Sequence, residues 1–170
     1  LIRDKLPLPP KPIVITFDDG NLDVYQNAYP VMKQYGFVGV FYIVSNRLVA
    51  QDFVNTVQLT EMMQDGWEIG SHSATHANLV EQHDLVKSEA FDSKKSLENE
   101  LGIPINTFAY PFGRTDELVT DRVFRYGYLG AVGLGSSYTH SAQTVYYLSR
   151  EEVRFEYTLE QFIALLPWQN

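Results

Sequence analysis

Short apolar runs and longer amphipathic stretches take turns along this chain. The first run, Ile13-Val14-Ile15, is β-branched and too short for a helix, so it predicts a buried strand. Runs at Val38 to Val44, Trp67 to Gly70, Thr107 to Tyr110, Tyr128 to Val132 and Val145 to Leu148 predict five more. Between the first two, Pro30 opens a helix and Gly36 closes it; Asn21 to Ala28 before it reads as a turn or short helical piece. A short helix is expected around Thr60 to Gln64, stopped by Gly66. The longest, Asp84 to Leu101, carries Val86, Ala90, Leu97 and Leu101 at three-to-four spacing and ends at Gly102. Further helices are expected at about Glu117 to Tyr126 and at Thr158 to Leu166, the latter capped by Thr158. Gly133 to Gln143, small and polar, reads as a loop. Strands alternating with helices imply an α/β fold with a parallel sheet and helices outside it. Residues 13–170 read as one such domain, preceded by an extended Pro-rich lead-in over 1–12.

Composition narrows the chemistry. At 170 residues and 45% hydrophobic content the chain can bury one real core. A net charge of -8 leaves no basic stripe to neutralise phosphates, which argues against a nucleic-acid partner. No apolar run approaches the length of a membrane span. With no Cys, disulfides and thiolate metal sites are excluded, and any metal falls to His, Asp or Glu. Eleven Tyr and ten Phe suit strands, and they equally suit surfaces that stack on sugar rings. The start at Leu1, without a Met, reads as a cut from a longer protein, so targeting stays open.

In parallel α/β folds the loops after the strand C-terminal ends carry the chemistry. Here those loops hold Asp18-Asp19, the stretch His72 to His76, Pro111-Phe112 and the segment around Arg150. In Thr16-Phe17-Asp18-Asp19-Gly20, two adjacent carboxylates ionise together comfortably only beside a cation or donors. Taken alone, a helix cap and turn would use the same five residues. His72 and His76 are four apart, so one helical turn would put both imidazoles on one side. Two imidazoles and one carboxylate are a common set for a divalent metal with open positions.

Thr16-Phe17-Asp18-Asp19-Gly20 followed by His72-Ser73-Ala74-Thr75-His76 resembles the polysaccharide deacetylase family, also called the NodB-homology domain or carbohydrate esterase family 4. The resemblance runs from about Pro10 to Leu166. It implies a distorted (β/α) barrel and a metal-dependent hydrolase that removes acetyl groups from N-acetylated sugars. Carried over by position, it implies Asp19, His72 and His76 as metal ligands and Asp18 as catalytic base. Zinc is the expected ion, with cobalt, nickel or manganese suited to the same ligands. Tyr110, Pro111 and Phe112 are implied on the substrate side, with the Phe112 N–H facing the oxyanion and Leu148 walling the acetyl methyl group. Ser73 and Thr75 are expected to orient the His-bearing loop, and His83 to be a capping or solvated residue.

The chain also departs from the family pattern. The third motif usually starts with an Arg that pairs with the catalytic Asp, but Ala109 stands there, and no Asp-x-x-Asp-Trp element is recognisable. Arg150 is expected to supply the replacement cation. It also stands where the family's Leu-x-His would place the His that protonates the leaving amine. That acid is then expected from a His upstream of the first motif, as in the subgroup of poly-N-acetylglucosamine deacetylases, or from His140. The implied partner is an N-acetylated exopolysaccharide or peptidoglycan, and the implied location is secreted or cell-surface. De-O-acetylation of xylan-type glycan, or glycan binding with weak activity, remain as other readings of the same fold.

Overall fold

The structure, a computed structural model, describes residue 7 and residues 9–167. Five parallel strands stand side by side in sequence order: β1 (Thr16–Phe17), β2 (Val40–Ile43), β3 (Glu68–Ser71), β4 (Thr107–Ala109) and β5 (Gly130–Val132). The register pairs Phe17 with Phe41, Tyr42 with Gly70, Ser71 with Phe108 and Ala109 with Val132. Each crossover carries helix: α1 (Tyr29–Gln34), α2 (Thr56–Gln64), α3 (Ser93–Leu101) and α4 (Glu117–Arg125), with α5 (Leu159–Ala164) after the last strand. A strand order that never reverses puts every right-handed crossover on the same face, so the sheet curls around the other. The result is an open, distorted (β/α) barrel.

Strand alternation assigns the two faces. Phe17, Phe41, Ile43, Ile69, Phe108, Tyr110 and Ala131 point outward into the main core under the helices, where they meet Leu59, Met62, Leu97 and Val123. The inner face is narrow. Tyr42, Ala109 and Val132 form a small cluster there, with Val40 and Leu148 against it. Gly70 leaves room for the Tyr42 ring, because a Cβ on Gly70 would lie 2.5 Å from two of its carbons. Thr16 on β1 and Gly70 on β3 face inward, and Asp18 and His72, just past the two strand ends, continue that parity, which aims both ends at one place.

Several elements differ from expectation for local reasons. Ile13 and Val14 are 58% and 73% exposed, so the first apolar run is not a buried strand. Its ladder begins where the Ile15 carbonyl accepts from the Val40 N–H, and β1 is an edge. The run Val145 to Leu148 is not a sixth strand: turns from Ser141 to Thr144 and Thr144 to Tyr147 curl it, and only Leu148 bridges Val132. The long helix is not continuous α-helix, since a 3-10 turn (His83–Leu85) and a π-helical segment (Lys87–Asp92) precede α3. α2 starts earlier than expected because Asn55 caps it, accepting from the Val57 and Gln58 N–H groups while Gln58 reaches back to the Asn55 N–H. The lead-in over 1–12 lies largely outside the described residues. No helix among the described residues is long and apolar enough to cross a membrane.

Candidate metal centre

Asp19 follows β1 at φ 73°, a left-handed conformation that Asp tolerates. His72 follows β3 and His76 ends the next loop. The expected helical turn between them is absent: Ser73 and His76 have φ of 69° and 68°, and the loop folds back on itself. The Ser73 hydroxyl accepts from the His76 N–H at 2.9 Å, closing the turn. The imidazoles still meet, with ring centroids 4.8 Å apart. One donor atom each from Asp19, His72 and His76 lie within 4.8 Å of one another. Asp19 Oδ1 is 3.6 Å from His76 Nε2 and 4.0 Å from His72 Nε2. Three ligands bound at zinc-like lengths would sit about 3.4 Å apart, so a small divalent ion needs only slight closure of this set.

The chemistry of the donors fits as well. His72 Nδ1 lies 2.8 Å from the Ala109 carbonyl, which can only accept, so Nδ1 carries the proton and Nε2 keeps its lone pair. Burial pushes the His72 imidazole below its ordinary value, against the opposing pull of Asp18 and the Ala109 bond. A neutral ring is the ligating form; its Nε2 also lies 3.8 Å from Asp18 Oδ2. His76 packs edge-on against the Phe112 ring, centroids 4.5 Å apart.

Asp18 is held from across the barrel. Arg150 Nη1 and Nη2 donate to its two oxygens, each at 2.7 Å, and Nη1 also donates to Thr16 Oγ1 at 3.0 Å. Arg150 Nε donates to the Gly133 carbonyl, and the guanidinium lies over the Tyr42 ring, 5.5 Å from its centroid. The segment beyond β5 thus reaches back to β1 where the barrel is open. Burial raises the Asp18 pKa, but the Arg150 bonds and the charges of His72, Arg150 and His76 outweigh it, leaving the carboxyl below its ordinary value. Ala109 contributes its carbonyl to His72 instead of a cation to Asp18.

The other expected site residues divide. Phe112, at φ 59° and 55% exposed, stands beside His76 at the mouth of the site. Leu148 is half-buried on the inner cluster of Tyr42, Ala109 and Val132. Tyr110 turns away from the metal cluster, and Pro111 follows it. Both are buried; Tyr110 points into the outer core because it follows Phe108 by two, and its hydroxyl donates to the Tyr146 carbonyl. His140 makes no hydrogen bond to Asp18, Asp19, His72 or His76. His83 Nε2 lies 2.6 Å from Asp116, the cap of α4. Two residues were not foreseen. Arg47, after β2, approaches Asp19 Oδ1 at 3.5 Å, and nothing in the sequence signals it. Glu89 is buried against the His loop; its signal was a carboxylate on the apolar stripe of Val86 and Ala90.

The polysaccharide deacetylase family model matches residues 5–131, and the chain belongs to that family. It is 33% identical over 156 residues to YxkH of Bacillus subtilis (strain 168), whose own assignment as a polysaccharide deacetylase is provisional; the match covers 90% of this chain and 55% of that protein. It is 29% identical over 131 residues to the poly-beta-1,6-N-acetyl-D-glucosamine N-deacetylase of Staphylococcus epidermidis (strain ATCC 35984 and its equivalents), covering 65% of this chain and 44% of that protein. Among solved structures, the Streptococcus pyogenes deacetylase PplD in complex with acetate superposes with a TM-score of 0.86 at 26% identity, covering 96% of this chain and 74% of that one. The chain spans about half the length of the curated relatives it matches.

Proposed function

We propose that this chain is the catalytic domain of a metal-dependent deacetylase that removes N-acetyl groups from a GlcNAc-containing polysaccharide, an exopolysaccharide or peptidoglycan. One observation carries the reading: Asp19, His72 and His76 converge beside an Asp18 that does not share their cluster and is clamped by Arg150. A binding domain has no need of a second carboxylate fixed next to its metal. The acetyl-sugar substrate is supported by the name of the staphylococcal relative and by the acetate bound to PplD, since acetate is the product of such a reaction.

A divalent ion held by Asp19, His72 and His76, zinc in the first instance, would supply Lewis acidity to the amide carbonyl and the attacking water. Asp18 takes the proton from that water as its oxygen bonds to the carbonyl carbon. Each Asp18 oxygen accepts from Arg150 yet keeps a second lone pair, so the clamp orients the base without blocking it. The Phe112 N–H, in the turn after β4, is assigned to the developing oxyanion. The C–N bond then breaks, the proton passes to the leaving nitrogen, and acetate and a free amine result. Arg150 cannot donate that proton, because a guanidinium does not deprotonate in this range.

A second reading follows from Arg150 standing in place of the acid His. An ester oxygen leaves with less need of protonation than an amide nitrogen, so the same residues would serve de-O-acetylation of a xylan-type glycan. Acetate release separates the two. Metal-stripped protein is given zinc or cobalt and assayed on a GlcNAc oligomer and on an acetylated xylooligomer, with Asp18→Asn as control. Metal-dependent release from the GlcNAc oligomer that Asp18→Asn loses supports the proposal; release only from the xylooligomer transfers it to the second reading. A substrate of this kind implies a secreted or cell-surface location.

A further inference from the structure

Behind the His loop, on the outer side of the sheet, lies a second set of polar groups with no part in the chemistry above. Glu89 is 3% exposed and comes from the π-helical segment Lys87–Asp92. Its Oε2 accepts from the successive backbone N–H groups of Ala74 and Thr75 at 3.0 and 2.8 Å, and its Oε1 accepts from the Thr75 hydroxyl at 2.8 Å. Four residues on, Ser93 donates to the Ser73 carbonyl at 2.9 Å, so the 2.8 Å contact between the Ser71 and Ser93 hydroxyls must have Ser71 as donor. From the other side, the Ser45 and Asn46 N–H groups donate to the Ser73 and Ala74 carbonyls. The N–H groups of Ala74 and Thr75 and the carbonyls of Ser73 and Ala74 are therefore engaged, and both N–H groups donate to Glu89.

We propose that Glu89 is a positioning residue of the metal centre: it fixes the left-handed turn that brings the two imidazoles together. The case rests on geometry. A loop with two non-glycine residues at positive φ does not hold itself there, because each such residue is disfavoured. His76 follows Thr75 directly, so the amide that Glu89 fixes sets where His76 begins. The extra backbone of a π segment is a recurrent device at functional sites, and here it brings both Glu89 and Ser93 onto the loop. Buried carboxylates are retained where every lone pair in use has a donor, and Glu89 has three. The inference rests on the metal reading of Asp19, His72 and His76, not on the substrate.

The test is a cobalt titration of metal-stripped protein, read by the visible absorption of the ligated ion and independent of turnover. Glu89→Leu keeps much of the side-chain volume but leaves the Ala74 and Thr75 N–H groups without their acceptor. It is expected to weaken cobalt binding about 10–100-fold, the range for outer groups that orient metal ligands. Glu89→Gln can set its carbonyl oxygen on the two N–H groups and its NH2 on the Thr75 hydroxyl, and is expected to recover most of the affinity. Thr75→Val, nearly isosteric, removes one of the three bonds and is expected to weaken binding less than Glu89→Leu; it carries the test should Glu89→Leu not fold. Leu97→Ala, buried one turn beyond on α3, serves as the control for general destabilisation and is expected to leave cobalt affinity unchanged. Wild-type affinity in both Glu89→Leu and Thr75→Val, or an equal loss in Leu97→Ala, would overturn the proposal. If wild-type protein itself bound no cobalt, the metal reading beneath it would fall instead.

Discussion

Replacing Arg150 tests the one feature in which this chain rebuilds its site. The guanidinium makes two 2.7 Å bonds to Asp18, with the two side chains 13% and 30% exposed. Exposed pairs contribute about 0.2–1 kcal/mol, whereas removing one partner of a buried pair costs about 3–5 kcal/mol. Partial exposure places the Arg150–Asp18 coupling between them, at about 2 kcal/mol. A double-mutant cycle of Arg150→Ala and Asp18→Asn measures it, by urea unfolding of metal-stripped protein at pH 7. Arg150→Lys should recover no more than about half, since an ammonium is a point charge that cannot match both oxygens and Thr16 at once. In turnover, Asp18 without its clamp loses a fixed direction, and a displacement of about 1 Å is worth on the order of 100-fold. The loss should fall on kcat with KM little changed, because Arg150 is assigned no contact with the sugar. A coupling below about 0.5 kcal/mol, or wild-type kcat in Arg150→Ala, would refute this reasoning.

Three further outcomes are expected. Zinc at a hundredfold excess over its Kd should add about 2.7 kcal/mol to stability and raise Tm by about 5–10 °C; chelation should reverse the shift and His76→Ala should abolish it, and a shift that survives in His76→Ala would move the ion elsewhere. Gly70→Ala should cost about 1–3 kcal/mol in chemical denaturation, because its Cβ meets the Tyr42 ring at 2.5 Å and Thr107 Oγ1 at 2.9 Å on the crowded inner face; a neutral result would show that the ring can move. Asp116 caps α4, and the Val119 N–H, helped by His83 and opposed by burial, holds its carboxyl below the ordinary value. A depressed carboxyl contributes stability above the unfolded value of about 3.9 and loses it as pH falls through the lower folded value. Asp116→Asn should keep most of the cap yet flatten that part of the acid-unfolding curve, and an unchanged curve would sink the assignment.

What was legible before the structure, and what was not, follows from the range of each interaction. The parallel α/β order could be read because strand and helix periods are local, and the Asp18–Asp19 and His72–His76 pairs because each sits at the end of an apolar run. The spacing of the two His was informative for the wrong reason: a helical turn was expected, and a left-handed loop does the work. Strand ends are hard to read where the deciding partner is remote, as at Ile13 and Val14 on an edge and over Val145 to Leu148, where the Val145 carbonyl accepts from the Ala131 N–H but turns keep the run from forming a strand. Tyr110 follows the outward Phe108 by two, so period-2 parity alone directs its side chain to the outer core. Arg150 could be singled out only because Ala109 left a position empty of charge; its bond spans 132 residues, and no local pattern encodes it. Glu89 differs in kind. A carboxylate on an apolar helical stripe is costly unless donors wait for it, so its presence between Val86 and Ala90 was a statement about some other segment of the chain, and the His loop is that segment.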